Sequence, residues 1–309
     1  MKVIVLTNSD ILSINTIQSL NESGNLAGVG ILKKNKSKLT PALKSLGLKD
    51  TSLLELERQS WVEVLKDFIN KNEVDYVWVL TFPWIIPTDL LSALPNAFVN
   101  FHFGLLPKYK GSDPIFWQLK NREELGGVTI HLMNEKIDEG PFLLKQELRI
   151  IPGENYGLHC KRLGEMVPPL IDQLFTKLRI PADELTELDF SEAQYDKPPK
   201  IQDLTIRWNE QTAEEIEWLV NATNPKYSGA NTSIAGFEMR ILEVTPVNME
   251  ASVEAEPGQI VHADVVYGLV VACLNKEYLR VTVVQTAEGY LSGIKLFNLG
   301  FTAGHKFIS

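Results

Sequence analysis

The first half of the chain alternates short apolar runs with segments of helical spacing, and few architectures accept that alternation. Residues 2–7 form a continuous apolar run, as expected of a strand covered on both faces. Apolar residues then recur at 11, 14, 17 and 20, one face of a helix. Gly28–Leu32 reads as a second strand, Trp61–Ile69 as a second helix, Val74–Leu80 as a third strand and Phe98–Phe101 as a fourth. Val128, Ile130 and Leu132 alternate with Thr129, His131 and Met133, the pattern of a half-buried strand. A further strand is expected at Gln146–Ile151 and a long helix near Tyr156–Leu178. Strands and helices interleaved in this way imply an α/β domain with a doubly wound, mostly parallel sheet.

The texture changes beyond residue 180. Residues 185–202 are polar and acidic, carry Pro198-Pro199 and show little periodicity, so they read as an extended linker. The linker separates a first domain, 1–184, from a second, 203–309. One helix is expected at Ala213–Val220, then β-rich runs at Met239–Val244, Gln259–Ala263, Gly268–Leu274 and Leu279–Gln285. Short strands with Gly and Asn turns suit a small β-barrel or sandwich. The 309 residues fit two domains at about 150 residues each.

Composition narrows the function classes. A net charge of -9 and a pI near 5.2 weigh against a polyanion held by bulk attraction, and DNA is not expected. The N-terminus lacks the apolar stretch and cleavage site of a signal peptide, and no run of about 18 apolar residues occurs. No membrane partner is therefore expected. Cys160 and Cys273 lie far apart in apolar or helical contexts, which suits buried thiols in a reducing, cytoplasmic compartment.

The turn after the first strand, Thr7-Asn8-Ser9-Asp10, holds no glycine. A dinucleotide-binding turn needs glycine so the backbone can approach a pyrophosphate, and no Walker-type loop occurs either. The five histidines are scattered without zinc spacing, so no metal is expected. The chemistry concentrates in residues 98–140. Asn100 and His102 are two apart at the end of a buried strand and point to the same side. Ligands of such sheets bind outside the carboxyl ends of the strands. Asp138 lies in a polar turn before Gly140. An Asn can donate to a developing oxyanion, a His can move a proton near neutral pH, and an Asp can orient or charge-balance that His. No Ser or Cys completes a nucleophilic triad, so the expected chemistry is direct attack by a substrate on a bound acyl donor. Spacing alone leaves open that His102 is a core histidine. His131, His159, His262 and His305 read as structural or surface residues.

The pattern Asn100-x-His102-x-Gly104-Leu105-Leu106-Pro107-x-Tyr109-Lys110-Gly111, then Gly127-Val128-Thr129-Ile130 and Ile137-Asp138-x-Gly140, resembles the N10-formyltetrahydrofolate-dependent formyltransferase family. Ile206-Arg207-Trp208, Asn224-Pro225-x-x-Ser228-Gly229-Ala230, Pro257-Gly258-Gln259-Ile260, Gln285 and Gly304 resemble the C-terminal domain of the methionyl-tRNA-acting members, so the likeness runs across nearly the whole chain. The resemblance implies a Rossmann-like catalytic domain joined to an OB-like β-barrel, with N10-formyltetrahydrofolate as formyl donor. It implies Asn100, His102 and Asp138 as catalytic residues. Folate would lie along Phe82, Trp84, Ile85, Ile86 and Pro87 and near Gly140, and the acceptor near Gly104, Tyr109, Gly111 and Asp113. An aromatic-rich stretch suits a flat heterocycle, although Trp84 alone reads equally as a loop packing under the sheet. In the implied mechanism an amine attacks the formyl carbon while Asn100 and a protonated His102 stabilise the oxyanion. Asp138 holds the charge of His102 and helps remove the amine proton. Two departures stand out: Gly104 replaces the usual Ser, and Lys110-Gly111-Ser112-Asp113-Pro114-Ile115 replaces Arg-Gly-Ala-Ala-Pro-Ile. Asp113 either pairs with a substrate amine or caps the following helix.

The acceptor is read from charge. From Asp203 to Ser309 there are seven Lys/Arg against thirteen Asp/Glu, a net of -6, which is not the footprint of an RNA platform. Lys33, Lys34, Lys36 and Lys38 form a basic loop where the methionyl-tRNA-acting members contact tRNA; the same lysines also read as solvated surface. A small or carrier-bound amine, such as a nucleotide-linked amino sugar, is the expected acceptor, with initiator tRNA as the alternative. A formyltetrahydrofolate hydrolase using water, and a folate-binding protein without turnover, stay open. Oligomeric state is not legible.

Overall fold

The computed structural model describes residues 1–48, 52–249 and 254–309. Strand β1 (Val3–Thr7) is buried at every position, which explains its apolar run, and lies third in a seven-stranded sheet, inside both edges. It pairs in parallel with β2 (Leu26–Leu32) and, on its other side, with β4 (Tyr76–Leu80). Strand β3 (Leu53–Leu56) extends the sheet beyond β2, and β5 (Phe98–His102) beyond β4, both in parallel. The two-residue strand β6 (Lys110–Gly111) lies outside this sheet. The last two strands, β7 (Leu125–Leu132) and β8 (Phe142–Arg149), run antiparallel, so the order is β3-β2-β1-β4-β5-β7-β8. The sheet is Rossmann-like, with its antiparallel strands gathered at the β5 side.

The helices follow from apolar spacing and caps. In α1 (Asp10–Glu22) Ser9 accepts from the Leu12 N–H, and Leu12, Thr16, Ile17 and Leu20 are buried. Helix α2 (Lys36–Ser45) buries Leu39 and Leu43. In α3 (Trp61–Asn72) Trp61, Leu65 and Ile69 recur every four residues and bury one stripe, and Glu73 ends the helix in the left-handed region at φ 53°. Burying each such side chain stabilises by about 1.5–3 kcal/mol. The helix α4 (Thr88–Ala93) precedes β5, and α5 (Pro114–Lys120) precedes β7. The single helix expected over Tyr156–Leu178 is instead α6 (Tyr156–Met166), a 3-10 turn at Pro168–Leu170 and α7 (Ile171–Lys177). The cause is Pro168-Pro169, whose rings remove donors and clash with the preceding turn. Strand β3 has only four residues, and α2 carries Pro41 and three lysines around just two buried leucines, so periodicity marked neither.

The chain divides into two compact units. The first comprises Met1–Pro114, Leu125–Arg149 and Cys160–Asp196, and so includes much of the segment expected as linker. In that segment β9 (Tyr195–Asp196) pairs in parallel with β6, and the Phe142 N–H donates to the Thr186 carbonyl.

The second unit is built on antiparallel strands. These are β10 (Ala230–Ile234), β11 (Phe237–Val247), β12 (Ile260–Asp264), β13 (Gly268–Ala272), β14 (Tyr278–Thr286), β15 (Gly289–Ser292) and β16 (Phe307–Ile308). Their order is β12-β13-β14-β11-β10-β16, with β15 on β14. A bridge between Gln259 and Lys306 joins the two outer ends, so the sheet curls closed in an OB-like barrel. Two further helices flank it: α8 (Ala213–Thr223), opened by a Thr212/Glu215 capping box, and α9 (Gly293–Asn298). Trp208 is buried in this core, stacks on Phe307 at 5.4 Å and donates its indole N–H to Thr232 Oγ1 at 2.9 Å. Among the described residues no helix is long and apolar enough to cross a membrane.

Candidate active site

Strand β5 places Asn100 and His102 on one face, at the point where the sheet changes from parallel to antiparallel pairing. Across the β5–β7 ladder Asn100 faces His131, and His102 faces Thr129. Asp138 follows β7 in a turn, held in the left-handed region at φ 58°. Two residues on, a Cβ at Gly140 would lie 1.8 Å from the Leu132 carbonyl oxygen, so only glycine lets the turn fold back this closely.

These elements bring four side chains together. Asn100 Nδ2 lies 3.1 Å from Asp138 Oδ1 and 3.1 Å from His131 Nε2. His131 Nδ1 is 2.8 Å from the Leu132 carbonyl, which can only accept, so Nδ1 carries the proton and Nε2 accepts from Asn100. His102 Nε2 donates to the Tyr109 carbonyl at 2.8 Å, and its Nδ1 lies 3.5 Å from Asp138 Oδ2. The Gly111 N–H donates to Asp138 Oδ2 at 2.9 Å, and Lys110 forms an ion pair with Glu139.

Burial and charge oppose each other here. Burial pulls the His102 pKa below the ordinary imidazole value of 6.5, against the Asp138 carboxylate, which raises it. Burial pushes Asp138 up, but His131, His102 and the Gly111 N–H together hold its carboxyl below the usual range. The resting pair at neutral pH is therefore neutral His102 beside ionised Asp138. The protonated His102 implied by the resemblance is not the state this buried position favours.

The register Val79↔Asn100 sets the Phe82–Pro87 segment beside the end of β5. Phe82, Trp84 and Trp61 form one aromatic cluster with centroids 5.3–5.7 Å apart, and Arg58 lies 5.7 Å over Trp84. Ile86 is buried at 4% exposure, whereas Ile85 is 76% exposed, and Pro87 leads into α4. An exposed apolar side chain beside half-buried rings is a wall that fits a flat heterocycle. Gly104 lies against His102, while Tyr109, Gly111 and Asp113 all have left-handed φ, 56°, 109° and 56°.

Sequence reasoning left His131 among the structural residues, yet it touches Asn100. Alternation put His131 on the same face as Thr129, but only the β5–β7 register brings it opposite Asn100. The basic stretch is not a loop: Lys33–Asn35 is a 3-10 turn and Lys36 opens α2. Lys33 pairs with Glu57 at 2.5 Å and Lys36 with Glu55 at 2.6 Å, carboxylates supplied by β3 and the turn after it.

A doubly wound sheet that brings a buried His and a half-buried Asn at one strand end against a half-buried Asp is the layout of a group-transfer enzyme. Residues 1–167 match the family described as formyl transferase, and residues 200–302 match the formyl transferase C-terminal domain. The chain belongs to the formyl transferase family. It is 30% identical over 220 residues to the methionyl-tRNA formyltransferase of Syntrophus aciditrophicus, covering 71% of this chain and 65% of that one. It is 26% identical over 306 residues to the enzyme of the same name from Agathobacter rectalis, covering 96% and 91%. The match thus spans just under two thirds of the Syntrophus relative but most of the Agathobacter one. Among solved structures, a HypX variant from Aquifex aeolicus superposes with TM-score 0.68 at 14% identity, covering 98% of this chain and 48% of that one. The sugar 3N-formyl transferase WlaRD gives TM-score 0.60 at 16% identity, covering 90% and 96%.

Proposed function

We propose that the protein transfers a formyl group from N10-formyltetrahydrofolate to a primary amine. The observation that carries this reading is the contact of Asn100, His102 and Asp138 at the end of β5, beside the apolar Phe82–Pro87 wall. The donor would lie along Phe82, Trp84 and Ile85, its formyl carbon toward Asn100. As the amine attacks, negative charge develops on the formyl oxygen, and Asn100 would donate to it with an Nδ2–H released from Asp138 Oδ1 or His131 Nε2. The amine proton passes to Nδ1 of neutral His102, the ring nitrogen left with a lone pair while Nε2 carries its proton, and the imidazolium that forms is stabilised by the Asp138 carboxylate 3.5 Å from Nδ1. Gly111, Tyr109 and Asp113 line the acceptor side.

The acceptor we propose is a small or carrier-bound amine, such as a nucleotide-linked amino sugar. Two lysines of the basic stretch already have carboxylate partners in Glu55 and Glu57, and the chain from Asp203 onward carries a net of -6. A second reading, initiator methionyl-tRNA, is favoured by the names of the relatives at 26–30% identity. The test is turnover with N10-formyltetrahydrofolate and three acceptor conditions: charged initiator tRNA, a nucleotide-linked amino sugar, and buffer alone. Transfer to the amino sugar supports the first reading. Transfer to tRNA that weakens steeply with salt replaces it with the second. Formate in buffer alone, at a rate matching transfer, makes the protein a hydrolase.

A further inference from the structure

Gly104 is required by space and not by backbone conformation. Its φ lies outside the left-handed region, yet a Cβ built there would stand 2.9 Å from His102 Nε2 and 2.9 Å from Pro114 Cβ. The Pro114 ring is tied into its own backbone, so the imidazole is the group that would have to turn. With glycine in place, His102 settles with its Nε2–H on the Tyr109 carbonyl at 2.8 Å and its Nδ1 3.5 Å from Asp138. Both ring nitrogens therefore face groups of the protein. The carbonyl that receives Nε2 sits in a loop with left-handed φ at Tyr109, Gly111 and Asp113. That loop is held by the Gly111 N–H on Asp138 and the Ser112 N–H on the Asp196 carbonyl.

We propose that Gly104 is a positioning residue that lets His102 rest on the Tyr109 carbonyl, so that its Nε2 reaches the reacting groups only when an acceptor displaces the loop at residues 108–113. The functional meaning rests on the formyl-transfer reading above. Without an acceptor, water that adds to the formyl carbon needs a proton carried to N10 as the C–N10 bond breaks and formate leaves. A ring fixed on Tyr109 is poorly placed to carry it. Gly104 thus favours transfer over loss of the formyl group to water.

The test has two readouts. Long-range proton–nitrogen NMR of the free protein, with the His102 signal assigned by its loss in His102→Asn, should show a slowly exchanging Nε2–H. In Gly104→Ala that protected signal should disappear while circular dichroism is unchanged. Formate release from N10-formyltetrahydrofolate in buffer alone should then rise on the order of 10-fold, the factor expected for releasing one hydrogen bond. A wild-type His102 protonated at Nδ1 overturns the proposal without any variant. So does a protected signal that persists in Gly104→Ala, or a displaced signal with formate release unchanged or reduced. If neither protein binds folate or releases formate, the transferase reading fails, and the NMR result still decides where His102 rests.

Discussion

Asn100 and His131 are register partners on antiparallel strands, joined Nδ2 to Nε2 at 3.1 Å. Because His131 Nδ1 donates to Leu132, its Nε2 can only accept, and this fixes which way round the Asn100 amide stands. His131→Ala leaves one Asn100 hydrogen without an acceptor. The expected loss in kcat/KM is about 5- to 150-fold, the rate equivalent of about 1–3 kcal/mol, with His131→Gln losing less. Steady-state kinetics on the two variants checks this, and equal losses would remove His131 from the positioning of Asn100.

Asn100→Ala and His102→Ala should each lower turnover about 100- to 1000-fold while leaving circular dichroism unchanged, since the loss of one oxyanion donor has that effect elsewhere. Turnover close to wild type in either purified variant would end the assignment.

The acid limb of the kcat/KM profile should titrate below 6.5, because burial lowers the His102 pKa. The same shift gives stability its sign. A depressed folded pKa contributes stability that is present above about 6.5 and is lost as pH falls through the folded value. Asp138→Asn removes the charge that raises His102, so the remaining acid limb should move lower still. A limb at or above 6.5 in the wild type would contradict the buried, neutral imidazole.

Burial pushes the Cys273 thiol up to about 12, so almost none of it is thiolate at pH 8. A disulfide reagent should leave Cys273 unmodified in the native protein and react with it once denaturant is added; mass spectrometry of the modified peptide reads the outcome.

Trp208→Ala should destabilise the protein by about 3–5 kcal/mol, because it empties a fully buried site. Trp208→Phe keeps most of the packing but removes the donor to Thr232 and should lose about 1 kcal/mol. Urea unfolding of both variants separates the two effects.

Much of the architecture was legible because the signals were local. The buried run of β1, the stripe of α3 and the Asn100–His102 pair each follow from spacing within one element. What was hidden depended on relations between elements. His131 needed the β5–β7 register, the split of the expected Tyr156–Leu178 helix needed more weight on Pro168-Pro169, and the pairing of Lys33 and Lys36 needed Glu57 and Glu55 brought alongside by β3 and the turn after it. Charge counted along a chain does not show which charges meet. The Gly104 departure was visible in the sequence, but its reason is a three-dimensional gap between an imidazole and a proline ring.

The ladder between Lys110–Gly111 and Tyr195–Asp196 changes where the working boundary of the first unit falls. A recombinant fragment ending at residue 167, where the first family match stops, would contain Asn100, His102 and Asp138 and still lack the strand that braces Gly111. Any fragment that keeps Gly111 braced has to run through Asp196, and because residues 115–124 and 150–159 belong to the second unit, no single cut separates the two. The end of the first unit is set by a two-residue strand more than fifty positions beyond Asp138.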